Sequence, residues 1–250
     1  MSIGFKTDIG KRRELNEDCL YVSGKSSPVW AIVADGMGGH QAGEVASGMA
    51  VEDISEYVDL NFRPDMDYVE AGEVLRRAFV EANNHIYNYS VRSSKFMFMG
   101  CTSTAAMIHS GKLIIAHVGD SRVYSAKEKL VKMTKDHSYV QELVNRGIIT
   151  EEEAKVHSRR NEITRAMGTE DSIKVDISIT PYNGEKILIC SDGLTEMVDE
   201  SEIFEIMADN DNPADACRAL VDRANEYGGR DNITAVIIDT KYEETEEDPK

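Results

Sequence analysis

Aspartates flanked by glycine or other small residues recur at widely separated points of this sequence, each beside an apolar run. The motifs are NEDC, VADGMGG, HVGDSR, ICSDGLTEM and GGRDNIT, and their aspartates are Asp18, Asp35, Asp120, Asp192 and Asp231. Small neighbours let the backbone approach a ligand closely. Carboxylates gathered in one place repel one another, and Mg²⁺ or Mn²⁺ is the usual compensation. The pattern therefore predicts one acidic cleft that binds divalent cations.

Each motif taken alone is explained equally well by a turn. Asp-Gly is a common turn dipeptide, and GDSR is a weaker signal still. Asp231 with Asn232 is consistent with a capped turn in which Asn232 satisfies backbone groups before a strand. The repetition favours the cation site, because a discontinuous site draws its ligands from several points of the chain. Composition and spacing alone leave both interpretations open.

The elements that would position these aspartates follow from the hydropathy pattern. Apolar or alternating runs predict strands over residues 19–22, 29–34, 102–109, 112–117, 122–125, 173–180, 186–190 and 233–240. Apolar residues at helical spacing predict helices over 43–58 and 75–89. Asn212 as cap, Pro213 at the first helical position and Gly228 as the stop predict another. Strands that follow one another in groups favour an α+β fold over a parallel βαβ sheet.

Two polar segments differ from this pattern. Residues 136–168 are charged and only partly amphipathic, so we expect a short helical flap whose polarity argues against burial. His137 and His157 in this flap are expected to be solvent-exposed residues rather than ligands. Residues 241–250 are acidic and contain proline, which predicts a flexible tail.

Composition narrows the functional classes. The 250 residues are 41% hydrophobic, which suffices for one substantial core. A formal charge of -17 would repel nucleic acid and an anionic membrane surface, although a solvated acidic surface is its commonest cause. No apolar run approaches the roughly 20 residues of a membrane span, and the N-terminus lacks a secretory pattern. We therefore expect a cytoplasmic protein with no nucleic-acid or membrane partner. The cysteines have no CxxC spacing, which favours reduced thiols.

The order of the motifs resembles a known family. TDIGKRRELNED, VADGMGGHQAGEVAS, GCTSTAAMI, HVGDSRVY, TKDHS, TRAMG, CSDGLTEMV and GGRDNITAVII are similar, in this order, to the signature segments of bacterial metal-dependent protein serine/threonine phosphatases of type 2C, the PPM family. The resemblance covers about residues 5–240. It implies a four-layer αββα sandwich, in which two antiparallel sheets flanked by helices carry a two-metal centre at one edge. Residues 1–240 would then be a single phosphatase catalytic domain with the flap as an insert.

The resemblance also implies a role for each acidic motif. Asp35 would bridge two cations, and the Gly36 carbonyl would bind one of them. Asp192 and Asp231 would complete the other. The further metal ligands, acting directly or through water, would be Glu17 and Asp18.

Arg13 matches the family's phosphate-binding arginine. Without the resemblance, a surface base is the simpler interpretation, because Lys11 and Arg12 stand beside it. With it, Arg13 and Asp35 are the expected catalytic residues. We hypothesise direct in-line attack by a water that bridges the cations, without a phosphoenzyme, while Arg13 holds the nonbridging phosphate oxygens.

The sequence departs from the family pattern at two points. Met37 occupies a position where many eukaryotic relatives have a histidine, and it cannot donate a proton to the leaving group. His40 is more easily explained by a structural role, so a metal-bound water is the expected acid. Asp120 matches a ligand of a third metal of bacterial relatives. Its partner position holds Glu196, where aspartate is frequent, and this leaves occupancy of the third site open.

These implications predict a monomeric phosphatase with two Mn²⁺ or Mg²⁺ ions that acts on phosphorylated proteins, among them a serine/threonine kinase and its substrates. One alternative is a catalytically silent module that binds phosphoproteins, which the joint presence of Arg13, Asp35, Asp192 and Asp231 argues against. Another is a phosphatase dedicated to one regulatory phosphoprotein. An aspartyl-phosphate phosphatase and a calcium sensor are disfavoured, because neither a DxDx[TV] motif nor an EF-hand loop occurs. The physiological substrate and any regulator are not predicted.

Overall fold

Two antiparallel sheets form the centre of the fold in a computed structural model that describes residues 2–24, 28–38, 42–92 and 94–241. The first sheet has the spatial order β1 (Ser2–Asp8), β11 (Ile233–Asp239), β10 (Lys186–Cys190), β7 (Arg122–Ala126) and β8 (Leu130–Lys132). The second has the order β2 (Asp18–Val22), β3 (Val29–Met37), β5 (Ser103–His109), β6 (Lys112–Val118) and β9 (Asp176–Pro181), and the short β4 (Gly100–Cys101) also pairs with β3.

Helices cover the outer face of each sheet. The helices of the described residues are α1 (Ala42–Asn61), α2 (Tyr68–Ser90), α3 (Tyr139–Asn145), α4 (Glu151–Val156), α5 (Asp192–Thr195), α6 (Glu200–Asp209) and α7 (Pro213–Glu226), of which α3 and α4 belong to the flap. The first two pack on the second sheet, and α7, with α6 beside it, packs on the first. The expected α+β fold, a four-layer αββα sandwich, is confirmed.

The alternation of side chains along the strands creates the layers. In β3, Trp30 and Ile32 pack with Phe79 of α2, whereas Ala31 and Val33 face the other sheet. Both faces of a central strand are buried, so its sequence is continuously apolar rather than alternating. The buried residues between the sheets, which we call the inter-sheet layer, are Val29, Ala31, Val33, Ala106, Leu113, Ile115, Val123, Ile187, Ile189, Val236 and Ile238.

Most predicted elements are present, with shifted ends. Strand β3 continues to Met37, and β9 begins later than the pattern indicated, at Asp176. The sequence interpretation missed β1, β4, β8, α5 and α6. Strand β1 shows why: its buried positions are Ser2 and Gly4, whereas its apolar residues Ile3 and Phe5 lie on the other face and Phe5 is half exposed, so its burial does not follow its apolar residues.

The flap contains the short helices α3 and α4, as expected, but its two ends are buried. Cys101 of β4 exchanges backbone hydrogen bonds with Met167, at 3.1 and 2.8 Å. At the other end, His137 is only 8% exposed. The expectation that His137 is solvent-exposed was therefore wrong, because its ring is covered where the flap meets the second sheet. His157 lies at an intermediate exposure.

Three smaller expectations can be compared with the fold. Cys19, Cys101, Cys190 and Cys217 are free thiols, as predicted. Within the described ranges, no helix combines the length and apolar character needed to cross a bilayer. Residues 242–250 lie outside the described part of the chain, so the flexible tail stays a prediction.

Candidate active site

At one end of the sandwich the inter-sheet layer changes from apolar to polar. Asp35 is the next inward residue of β3 after Val33, and Asp18 of β2 stands directly opposite it. From the first sheet, Ser191 continues the inward alternation of β10, and Thr234 that of β11. The pleat of the strands therefore delivers all four polar side chains to the same place.

Six carboxylates meet at this end, and we call them the acid centre: Glu17, Asp18, Asp35, Asp120, Asp192 and Asp231. Every acidic residue that the sequence assigned to metal binding belongs to this group. Their elements come from both sheets and from the connecting segments.

Two hydroxyl groups hold the Asp18 carboxylate. Ser191 Oγ donates to Asp18 Oδ2 at 2.8 Å, and Thr234 Oγ1 donates to the same oxygen at 2.7 Å. The other oxygen, Oδ1, is buried without a hydrogen-bond partner. One side of Asp18 is thus fixed by the protein, and the other is directed into the acid centre without a partner.

Thr102 fixes the backbone of Asp35. The Asp35 N–H donates to Thr102 Oγ1 at 3.1 Å, and the Thr102 N–H donates to the Asp35 carbonyl oxygen at 2.8 Å. The following residue, Gly36, lies so close to the start of α1 that a Cβ atom there would stand 2.1 Å from the Gly43 carbonyl oxygen. Glycine at this position is therefore required for α1 to begin beside the acid centre.

Asp231 forms an ion pair with Arg13, the residue that is predicted to bind phosphate. Arg13 Nη2 donates to Asp231 Oδ2 at 2.7 Å, and its Nη1 lies 3.7 Å from Glu17 Oε2. This ion pair is the largest reason why the pKa of Arg13 is raised. Asn232 secures the same region, because its side chain accepts from the Glu17 N–H and donates to the Leu15 carbonyl. Arg13 therefore lies at the rim of the acid centre, as its predicted role requires.

Burial and mutual repulsion raise the pKa values of several carboxylates of the acid centre. The pKa of Asp35 lies well above its usual range, first because of burial and then because of Asp18 and Asp192. The pKa of Asp192 is raised in the same way, by burial and then by Asp120 and Glu196. Burial is also the main cause that raises the pKa of Asp18 and of Asp120 to about 6 each. The protein alone thus leaves these negative charges uncompensated.

The donor set fits divalent cations. Asp192 Oδ1, like Asp18 Oδ1, is buried without a hydrogen-bond partner, and such an atom costs free energy unless a ligand satisfies it. Carboxylate oxygens are the ligands that Mg²⁺ and Mn²⁺ prefer. Among the described residues, no group of three or more His, Cys, Asp or Glu side chains already has metal-ligand geometry. The fit therefore rests on the orphaned oxygens and the unbalanced charge.

Sequence reasoning missed the residues that hold the acidic side chains. These are Thr102, Ser191 and Thr234, and all three are buried. Their signal was present: each is a hydroxyl residue at the end of, or within, an otherwise apolar strand segment. His40 lies outside the described residues, so the expectation about it stays a prediction.

Comparisons with known proteins agree with this geometry. A family model described as protein phosphatase 2C matches residues 10–232. The chain is 37% identical over 246 residues to the serine/threonine phosphatase stp of Listeria monocytogenes, covering 96% of each chain.

Solved structures show the same fold. The serine/threonine phosphatase Stp1 of Staphylococcus aureus superposes with a TM-score of 0.89 at 32% identity, over 96% of this chain and 95% of that one. The catalytic domain of the phosphatase PstP, in complex with two manganese ions, superposes with a TM-score of 0.84 at 32% identity, over 95% and 97% of the two chains.

Proposed function

The chain belongs to the protein phosphatase 2C family and is a serine/threonine phosphatase; we propose that it removes phosphate from phosphoserine and phosphothreonine of proteins at the acid centre, with residues 1–240 as its catalytic domain. One observation carries this assignment to the acid centre: buried carboxylates with orphaned oxygens converge where the apolar inter-sheet layer ends. Such a concentration of uncompensated charge destabilises a fold unless a bound ligand balances it. A catalytically silent binding module is not favoured, because the relatives are named as phosphatases.

Family members use metal ions, and we propose two Mn²⁺ or Mg²⁺ ions in this chain. Asp35, Asp192 and Asp231 would hold them, with the Gly36 carbonyl, while Glu17 and Asp18 contribute directly or through water. Bound divalent cations would lower the pKa of a water molecule and neutralise the charge of the phosphate group. A third cation near Asp120 is a further part of the proposal.

The chain's own residues prepare this site before any ligand arrives. Thr102 fixes the backbone at the end of β3, from which the Asp35 carboxylate extends. Ser191 and Thr234 occupy one Asp18 oxygen and leave the other available. Preorganised carboxylates avoid the reorganisation cost that mobile side chains would add to the barrier.

Arg13 would orient the phosphate group. Its side chain is 46% exposed, so its guanidinium faces both the acid centre and solvent. A guanidinium carries five N–H donors, more than the contacts with Asp231 and Glu17 use. We propose that the remaining donors hold two phosphate oxygens and that a water oxygen attacks phosphorus opposite the leaving serine or threonine oxygen. The P–O ester bond breaks, the alkoxide takes a proton from water, and no phosphoenzyme forms.

Met37 does not serve as the proton donor. Its terminal methyl packs against Gly100 of β4, within 2.9 Å of where a Cβ atom would stand on that glycine. A thioether has no acidic proton. The side chain therefore has a packing role, which is consistent with water as the general acid.

The physiological setting is part of the same proposal. We expect a cytoplasmic monomer that opposes a serine/threonine kinase by acting on its substrates or on the kinase itself. The formal charge of -17 supports proteins rather than nucleic acids as partners, because it repels phosphate backbones.

The test is phosphate release from a phosphothreonine peptide in Mn²⁺, in Mg²⁺ and in EDTA. Wild type should release phosphate only with a divalent cation, and Asp231→Ala should lose the activity. Asp222→Ala, at an exposed position of α7, is the matched control and should retain it. In H₂¹⁸O, one labelled oxygen should enter the phosphate. Release that persists in EDTA, or an isolated covalent phosphoprotein, would contradict the proposal.

A further inference from the structure

Two histidines stack in a buried position beneath the flap. The rings of His117 in β6 and His137 at the start of the flap are 4.7 Å apart between centroids and inclined by 30°. His117 is fixed from both sides, because its Nδ1 lies 2.8 Å from Thr104 Oγ1 and its Nε2 lies 3.2 Å from the Lys135 carbonyl oxygen. The His137 ring therefore rests on an immobile surface.

His137 makes two reciprocal hydrogen bonds with Gly119. Its backbone N–H donates to the Gly119 carbonyl oxygen at 2.7 Å, and the Gly119 N–H donates to His137 Nδ1 at 3.0 Å. Gly119 has φ +108°, and a Cβ atom there would stand 2.5 Å from Thr102, which itself fixes Asp35. The residue after Gly119 is Asp120 of the acid centre. One histidine thus holds both backbone polar groups of Gly119, the residue before Asp120.

The hydrogen-bond pattern determines which nitrogen of His137 carries the proton. Because Nδ1 accepts from Gly119, the proton of the neutral ring is on Nε2, which donates to Asp176 Oδ2 at 3.1 Å. Arg165 Nη1 also lies 2.9 Å from His137 Nε2, but it donates to the other oxygen of that carboxylate, at 2.9 Å, and to the Lys174 carbonyl oxygen, at 3.2 Å. Asp176 belongs to β9, and Arg165 to the far end of the flap. The ring orientation is therefore set by groups outside the acid centre.

The backbone of His137 also joins the two ends of the flap. The Thr164 N–H donates to the His137 carbonyl oxygen at 2.8 Å, and Ser138 pairs with Ile163 in an isolated antiparallel bridge. Every polar group of His137 is thus engaged, towards Gly119 on one side and towards the returning flap segment and β9 on the other.

We propose that His137 is a positioning residue that fixes the Gly119–Asp120 segment, and with it the Asp120 carboxylate, relative to both ends of the flap. The inference rests on the proposed function for its catalytic consequence, but the positioning itself does not. It also gives the flap a definite link to the acid centre, through a side chain that touches neither substrate nor cation.

Two isosteric substitutions separate the two ends of the ring. His137→Asn keeps an acceptor near the position of Nδ1 and loses the reach to Asp176. His137→Gln keeps that reach and loses the acceptor for Gly119. The primary measurement is hydrogen exchange of the Gly119 amide in the full chain, which requires no phosphatase activity. Steady-state kcat on p-nitrophenyl phosphate is the second, and His85→Asn on α2, where the histidine side chain is 60% exposed, is the control.

We expect the Gly119 amide to exchange about tenfold faster in His137→Gln and within about twofold of wild type in His137→Asn, because a buried donor has lost its acceptor only in the first. The kcat of His137→Gln should fall about tenfold, as is typical when a residue that orients a metal ligand, without binding the metal itself, is replaced. Equal exchange in both variants, whether fast or slow, would overturn the proposal. An altered Gly119 amide together with unchanged kcat would keep the positioning and reject its part in catalysis.

If either histidine variant fails to fold, Asp176→Ala tests the same idea with the ring in place. Loss of the acceptor for Nε2–H frees the ring, so the Gly119 amide should exchange several-fold faster. No change at Gly119 in a folded Asp176→Ala protein would overturn the proposal.

Discussion

The acid centre and a second group of charges, which is only partly buried, lie close together in this molecule, and they are built on opposite principles. The second group, which we call the ion cluster, consists of Arg122, Lys132 and Asp136. Arg122 Nη2 lies 2.8 Å from Asp136 Oδ2, and Lys132 Nζ lies 2.7 Å from Asp136 Oδ1. Tyr124 extends it, since its hydroxyl accepts from Arg122 and donates to Glu200.

The comparison shows how this chain distinguishes a structural charge from a functional one. In the ion cluster, burial alone would raise the pKa of Asp136, but Arg122 and Lys132 outweigh it and lower the pKa below its usual value. In the acid centre, burial and neighbouring carboxylates raise the pKa of Asp35 and Asp192 without such compensation. A buried charge that the protein balances itself supports the fold, and one that it leaves unbalanced awaits a ligand.

The largest expected effect comes from removing one charge of the acid centre. Asp35→Asn should lower phosphatase activity by at least about a hundredfold, because the cations that we propose it holds would supply several kcal/mol of transition-state stabilisation. In EDTA the same variant should unfold at an equal or higher temperature than wild type, since a repelling carboxylate is gone. Activity assays and thermal melts measure both, with Asp222→Asn as the control. A variant clearly less stable in EDTA would show that Asp35 is balanced within the protein.

The ion cluster should respond in the opposite way. Asp136→Ala leaves Arg122 and Lys132, each about a quarter exposed, without their counter-ion, and this should cost less than the roughly 3–5 kcal/mol of breaking a fully buried pair, because solvent reaches them. Urea denaturation should show this loss with or without divalent cations. Lys132→Met should cost much less, because Arg122 still balances Asp136. Equal losses for the two variants would mean that packing, rather than charge balance, dominates in this cluster.

Arg13 is the positively charged side chain at the rim of the acid centre, and its role should depend on the planar shape of its guanidinium group. Arg13→Lys keeps the charge but loses the planar pair of donors, so we expect KM for a phosphopeptide to rise about tenfold with a smaller change in kcat. Arg12→Lys, at the exposed neighbouring position, should change neither constant. A similar effect at both positions would favour the simpler interpretation of Arg13 as a general surface base.

The smallest expected effect is on pH dependence, and it concerns Asp136. A carboxyl whose pKa is lowered by folding contributes stability that is complete above its unfolded value, about 4, and is lost as the pH falls through the folded value. The difference in unfolding free energy between wild type and Asp136→Asn should therefore stay constant from neutral pH to about pH 5 and shrink below about pH 4. Denaturation curves along a pH series measure it. A difference that grows on acidification would reverse the assigned direction.

The acid centre was predictable from sequence for a local reason. A carboxylate that ends an apolar strand, with glycine beside it, is visible within a few residues, as in the segments around Asp35 and Asp192. The order of these segments along the chain then indicated the family. What could not be predicted is which oxygen of Asp18 is satisfied, because its partners Ser191 and Thr234 reach it from the other sheet.

The ion cluster and the histidine pair were not predicted, and the reason is again physical. Asp136 and His137 lie in a polar segment, whose composition indicates solvent exposure. Their burial depends on contacts with β7, β8 and β9, which no local pattern specifies. Pattern-based inference is generally weak for polar residues whose burial depends on partners distant in sequence.

The two ends of the chain meet at the acid centre, and this affects how the protein is made. Asp18 and Thr234 are bonded across 216 positions, Leu15 and Asn232 across 217, and β1 pairs with β11 along its whole length. Synthesis proceeds from the N-terminus, so Asp18 and Arg13 leave the ribosome long before Thr234 and Asp231 exist. A nascent chain therefore carries no assembled acid centre until β11 has emerged.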